Sequence, residues 1–199
     1  MRFTSILVML MLPAAAAQAD EREIMLSVVS GPTFLHREGR WNVGGGAMLR
    51  AAYGLPDIDV VAVELNGGCD YLSSIRGVGD PKLGQDVHVI YDATRCGFVP
   101  GVVLRLGARL VGTVGLGLGY RYESHSHQVA VANGSNVLIE QLPKASEHQV
   151  VITGRGSVEY RIWDLFSVGA DATGLKIIAN GPASDLELKI AVTMSVYFY

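Results

Sequence analysis

The sequence predicts an all-β fold: an antiparallel, up-and-down transmembrane β-barrel of eight strands. Three observations carry this expectation. Apolar and polar residues alternate strictly over segments longer than ten residues, which is strand spacing and does not fit a helix. Past residue 19 no run of 18 consecutive apolar residues occurs, so no helical span explains a chain that is 49% hydrophobic and 18% charged. Short connections lie on one side of the strand series and longer ones on the other, the pattern of barrels that cross a bilayer. The 24 glycines agree with this choice. Each would cost a helix about 1 kcal/mol against alanine, whereas bulges and close strand approaches absorb them.

The chain divides into two parts. Residues 1–19 read as a signal peptide: Arg2 supplies the positive start, Ile6 to Leu12 the apolar run, and Ala17-Gln18-Ala19 a small-x-small cleavage site. The run is short for a membrane anchor, the other reading of such a segment. Residues 20–199 form the barrel, with Asp20 as the first mature residue.

The strands follow in order. The first lies near 23–35, the second near 41–53 and the third near 58–69. The fourth lies near 97–107. The fifth, 111–124, puts Val114, Leu116, Leu118, Tyr120 and Tyr122 on one face and Thr113, Gly115, Gly117, Gly119, Arg121 and Glu123 on the other. The sixth, 148–162, aligns Val150, Ile152, Val158, Tyr160 and Ile162 against Val151, Thr153, Arg155, Ser157, Glu159 and Arg161. The seventh lies near 166–177. The eighth, 185–199, alternates Leu186, Leu188, Ile190, Val192, Met194, Val196 and Phe198 with Glu187, Lys189, Ala191, Thr193, Ser195 and Tyr197. Tight connections are expected at 54–57, 108–110 and 163–165, intermediate ones at 36–40 and 178–184, and long polar loops at 70–96 and 125–147. Within those loops, 86–92 alternates, and 128–132 and 137–141 flank the turn pair Asn133-Gly134. These read as β extensions of the outer loops; counting them as membrane strands would move the total towards ten.

Alternation alone suits a soluble barrel or sandwich equally. Two features favour the membrane. The polar face is built of Gly, Ala, Ser, Thr and isolated charges, as suits a crowded lumen. Aromatics gather near strand ends: Trp41, Tyr53, Phe98, Tyr120, Tyr122, Tyr160, Trp163, Phe166, Tyr197, Phe198 and Tyr199. Rings at those heights are expected of interfacial girdles. A third feature is the end of the chain, Val192-Thr193-Met194-Ser195-Val196-Tyr197-Phe198-Tyr199, an amphipathic strand that stops on an aromatic. With the leader and the strand series, it resembles the bacterial eight-stranded outer-membrane β-barrel proteins, although its lipid-facing row ends at Phe198, one residue early. The resemblance spans essentially the whole chain. It implies export to the bacterial outer membrane, contact with outer-membrane lipid, and insertion by the barrel-assembly machinery.

If the apolar rows face lipid, the alternate rows point inward. Arg50, Arg105, Arg121, Arg155, Arg161 and Lys189 then enter the lumen with Glu64, Glu123, Glu159, Asp171 and Glu187. An eight-stranded barrel is just wide enough for side chains to fill it, and isolated buried ions cost several kcal/mol each. The expectation is therefore an ionic network that plugs the barrel, with a narrow solute channel as the alternative. Cys69 and Cys96, the two cysteines, fall on neighbouring antiparallel strands in an exported protein and are expected to form a disulfide.

Net charge of -3 points away from nucleic acid, and no nucleotide fingerprint is present. The run Glu123-Ser124-His125-Ser126-His127, with His148 across the same hairpin, holds the residue types of a nucleophilic hydrolase but matches no motif. A polar rim is the plainer reading, so no catalytic residue, metal site or cofactor is assigned. Two functions from different classes remain. One is a surface-loop or anchoring envelope protein whose loops 70–96 and 125–147 meet an envelope partner. The other is a lipid-modifying enzyme at the rim, which requires His125, Ser126 and His148 to converge there.

Overall fold

In the computed structural model, residues 23–37, 39–56, 58, 60–78, 87–132, 138–179 and 185–199 are described. Residues 1–19, where the sequence leads one to expect a signal peptide, lie outside them. Among the described residues nine strands occur in this order: β1 Ile24–Arg37, β2 Arg40–Gly54, β3 Val61–Val78, β4 Val87–Leu106, β5 Leu110–Ala132, β6 Leu138–Gln141, β7 Ala145–Trp163, β8 Phe166–Ala179 and β9 Leu186–Phe198. Eight of them form one antiparallel sheet in the order β4-β3-β2-β1-β9-β8-β7-β5, and pairing of β4 with β5 closes it into a barrel. The short β6 is paired only with β5, outside the ring.

The alternation decides which face is which. Along β9, Leu186 through Phe198 of the apolar row are 37–57% exposed, while Glu187, Lys189, Thr193 and Ser195 between them are buried. The same inversion runs along β5, where Leu116 is 70% exposed and Glu123 fully enclosed. Apolar side chains outside and charges inside are what hydrocarbon demands of a barrel wall. Among the described residues no helix is long and apolar enough to cross a membrane.

Both chain ends of the barrel, Ile24 and Phe198, share one rim with the turns 54–61, 106–110 and 163–166. Gly107, with φ of 101°, makes the second of these possible. Inside the wall, glycines admit the strong curvature. A Cβ at Gly119 would lie 2.3 Å from the Phe98 carbonyl, and one at Gly97 2.5 Å from that of Tyr120.

The opposite rim departs from expectation. The described residues of segments 70–96 and 125–147 are largely strand, because β3 runs on to Val78, β4 begins at Val87, and β5 extends to Ala132. Their outward residues face water beyond the bilayer, so their polarity imitates a loop. Of the alternating stretches 86–92, 128–132 and 137–141, the described residues 87–92, 128–132 and 138–141 are β structure, and they add no membrane strand. The connection 36–40 is also tighter than expected, with Arg37 paired directly to Arg40 and Gly39 at φ 75°. On the inward side of the projecting sheet, Leu35, Leu72, Ile75, Val89, Tyr91 and Ala93 form a buried apolar cluster against which Leu142 packs.

Cys69 and Cys96 are register partners on β3 and β4, with Cα atoms 4.1 Å apart, and they form a disulfide. The bridge lies within a continuing hairpin; it does not seal the base of a loop. Unreduced peptide mapping should therefore recover Cys69 and Cys96 in one linked fragment. Replacing both by serine should lower stability by up to about 3–4 kcal/mol, the chain-entropy value for a span of this size, read as an earlier urea unfolding midpoint. Folded protein should also migrate faster on a gel unboiled than boiled; identical migration would contradict a closed barrel.

Candidate functional site: the charged lumen

Alternation sends every second side chain of eight strands into one narrow space, so the interior chemistry follows from the wall. The inward charges group into clusters along the axis. Near the turn rim, Glu23 pairs with Arg105 at 2.9 Å and with Arg161 at 2.5 Å. Arg161 also lies over the Tyr197 ring, 4.0 Å from its centroid. Glu159 is held differently: its Oε2 accepts from Ser167 at 2.6 Å, Ser195 at 2.7 Å and Tyr197 at 3.3 Å. Tyr197 is thus a lumen residue with no exposure, and it does not belong to the aromatic girdle. Its odd position on β9 places it inward, whatever its propensity for an interface.

The middle cluster is a closed square. Arg50 bonds Asp171 at 2.9 Å and lies 3.7 Å from Glu64. Arg155 meets Glu64 at 3.0 Å and Asp171 at 2.9 Å. Asn66 ties the corners, accepting from Arg50 at 2.7 Å and donating to Glu64 at 2.8 Å. Two guanidiniums face two carboxylates, so the cluster is neutral.

Further along, Lys189 pairs with Asp70 at 2.7 Å, and Glu187 receives Arg95 at 2.6 Å and Arg121 at 2.5 Å. Past the level of Tyr120 and Tyr122, Arg37 reaches Asp185 at 2.5 Å and Glu123 at 3.2 Å, and donates to the Tyr91 hydroxyl. His125 bonds Glu123 at 2.8 Å and stacks on Tyr91, with centroids 4.2 Å apart. Gln149 donates to Glu123 at 3.3 Å. Burial pushes the Glu123 carboxyl up, but the His125 hydrogen bond and the charges of Arg37, Arg95 and Arg121 outweigh it, holding the group well below the ordinary carboxylate range.

All eleven lumen residues named from the sequence occupy this interior, ten of them buried and Arg161 partly so. Sequence reasoning missed Glu23, Arg37, Asp70, Arg95, His125 and Asp185. A signal exists for two of them. Asp70 shares the even face of β3 with Glu64, and Arg95 shares the odd face of β4 with Arg105, but both fall in a segment whose polarity reads as loop.

The rim chemistry does not converge. His125 points into the lumen, whereas His148 is exposed outside and bonds the Tyr120 hydroxyl. Ser126 is half-buried and paired in register with Asp92, while the side chain of His127 lies outside the described residues. The two histidines therefore stand on opposite faces of the wall. Among the described residues no group of three His, Cys, Asp or Glu side chains could hold a metal.

No protein-family profile matches the chain, and no curated protein is similar to it in sequence. Its fold does match solved structures. Neisserial surface protein A superimposes with a TM-score of 0.60 at 9% identity, covering 88% of this chain and 97% of that one. A major outer membrane protein of Thermus thermophilus gives 0.56 at 13%, covering 90% and 100%. Ail, the attachment invasion locus protein of Yersinia pestis, gives 0.55 at 12%, also covering 90% and 100%. The chain has the fold of the small eight-stranded outer-membrane barrels.

Removing one partner of this network leaves the other buried and unpaired, which costs about 3–5 kcal/mol. Arg155→Ala should therefore unfold at markedly lower urea than the wild type in detergent micelles. Leu116→Ala, on the exposed outer face, should shift the midpoint far less, since it opens no buried charge.

Proposed function

We propose that this chain is a bacterial outer-membrane protein whose barrel is a closed anchor, and that its working surface is the sheet projecting past the loop rim. The observation that carries this reading is the cross-lumen pairing. Arg50 of β2 reaches Asp171 of β8, Arg95 of β4 reaches Glu187 of β9, and Arg161 of β7 reaches Glu23 beside β1. Bonds of 2.5–2.9 Å strung across the bore occupy the space that a solute would need.

The projecting sheet supports the second half of the reading. Beyond Leu72, where its pairing with β2 stops, β3 continues as a hairpin with β4. β5 extends with it and carries β6. Unpaired strand edges offer backbone groups to a partner chain, and an apolar cluster packs beneath the sheet. An envelope or surface partner meeting 70–96 and 125–147 is the interaction this arrangement serves. The leader of residues 1–19 would direct export, and the assembly machinery would read the last strand. A lipid-modifying rim enzyme is disfavoured by the opposite facing of His125 and His148.

Protein reconstituted into planar bilayers should show no stable conductance of porin size. Reproducible large channels would contradict the closed anchor, and small ion-selective steps would favour the narrow channel instead. The protein should fractionate with outer membranes; a soluble, detergent-free monomer would contradict the whole reading.

A further inference from the structure

We propose that the outer wall over β7 and β8 holds a site for an anionic lipid of the leaflet at the loop rim. Its phosphate would sit on Lys176 and one acyl chain in a trough below. The proposal rests on the outer-membrane placement argued above. The observation that carries it is Lys176. On the outward rows of the eight barrel strands, from the turn rim up to the projecting sheet, it is the one lysine, arginine or carboxylate among the described residues. Its register partners are Ile152 on β7 and Leu186 on β9, both apolar and exposed. Among the described residues no carboxylate pairs with it.

A cation on a lipid-facing wall needs an anion or water within reach. Lys176 lies three residues before β8 ends at Ala179, on the loop-rim side. That is about 10 Å of strand at about 3.3 Å per residue. A lysine stem lies along apolar surface while its ammonium climbs towards the headgroups, so the charge meets the phosphates of that leaflet.

Below Lys176 the wall is hollow. The next outward positions of β8 are Gly174 and Ala172, in direct register with Gly154 and Gly156 of β7. Leu116 of β5 borders this floor on one side and Leu188 of β9 on the other. Leu116 is 70% exposed, and its partner across the ladder is Gly154. Packing within the barrel does not demand these glycines. A Cβ at Gly154 would come no closer than 3.7 Å, to Leu116 Cδ2, and one at Gly174 no closer than 3.8 Å, to the Gly154 carbonyl. The inward Gly169 differs, since a Cβ there would lie 2.2 Å from the Val158 carbonyl. The trough is thus open on its outer side, apolar, and headed by a single positive charge. A lipid with an anionic phosphate above an acyl chain has the matching form. A second copy of this chain fits less well, because a two-fold contact over the trough would bring one Lys176 against the other.

The test uses the full mature chain refolded into maltoside micelles. Native mass spectrometry would follow its binding of phosphatidylglycerol and phosphatidylcholine with the same acyl chains. The wild type should retain one phosphatidylglycerol at least fivefold over phosphatidylcholine, and excess inorganic phosphate should not displace it. Lys176→Gln should abolish the preference. Gly154→Leu, which fills the trough and leaves the charge, should lower phosphatidylglycerol retention at least threefold. Both changes lie on the outer face, and unboiled gel mobility reports whether each variant has folded. Equal retention of the two lipids, a preference that survives Lys176→Gln, full retention in Gly154→Leu, or displacement by inorganic phosphate would each overturn the proposal. Dimers that Gly154→Leu dissolves would give the trough to a second copy and contradict the lipid site. If a variant fails to fold, the wild-type comparison decides. Membrane fractionation is a separate readout, so the outer-membrane placement and the lipid site can fail independently.

Discussion

Pairing of β4 with β5 is the contact on which the rest depends. In hydrocarbon an unpaired backbone N–H or C=O costs several kcal/mol, so a sheet that enters a membrane must have no edge there. The β4–β5 register runs from Leu106 opposite Gly112 to Cys96 opposite Tyr122 and beyond. It converts a twisted eight-stranded ribbon into a ring. Closure then forces the interior: once the ring exists, half of every strand faces a bore that side chains must fill.

That filling is electrostatic. The bore of this chain is charged through most of its length, and the charges are tolerable because they meet. Glu64 and Asp171 face Arg50 and Arg155; Glu23 faces Arg105 and Arg161. Such pairs are a poor source of net stability compared with an apolar core, but breaking one is costly. They also fix register, since a one-residue slip would carry every inward charge out into lipid. Towards the loop rim apolar side chains join the charges: Leu35, Leu72, Ile75 and Val89 pack in one cluster with Tyr91, whose hydroxyl accepts from Arg37.

The barrel is legible in the sequence because its signal is a strict period of two under a constraint with one solution. Lipid-facing rows such as Leu186 to Phe198 cannot be confused with a helix face. What the sequence hides lies where the environment changes. Asp70 and Arg95 continue the inward rows of β3 and β4, but beyond the girdle the outward rows become polar, and the contrast that marks a strand fades. Tyr197 misleads for a related reason: an aromatic near a strand end fits a girdle by type, yet its parity puts it with Ser195 and Ser167 around Glu159. The partners within the network are beyond reach of the sequence, because barrel shear decides which inward residues meet across the bore.

If ion pairs close the bore, the charges that meet across it must be energetically coupled. A double-mutant cycle on Arg50 and Asp171, 2.9 Å apart and both without side-chain exposure, tests it most directly. Urea unfolding of the wild type, Arg50→Ala, Asp171→Ala and the double variant would give their coupling. Residues in one buried network should show a coupling of about 1–3 kcal/mol, with the double variant far less damaged than the two single losses combined. Strictly additive losses would mean that the two charges do not feel each other, and that the bore is not closed by the network that joins them.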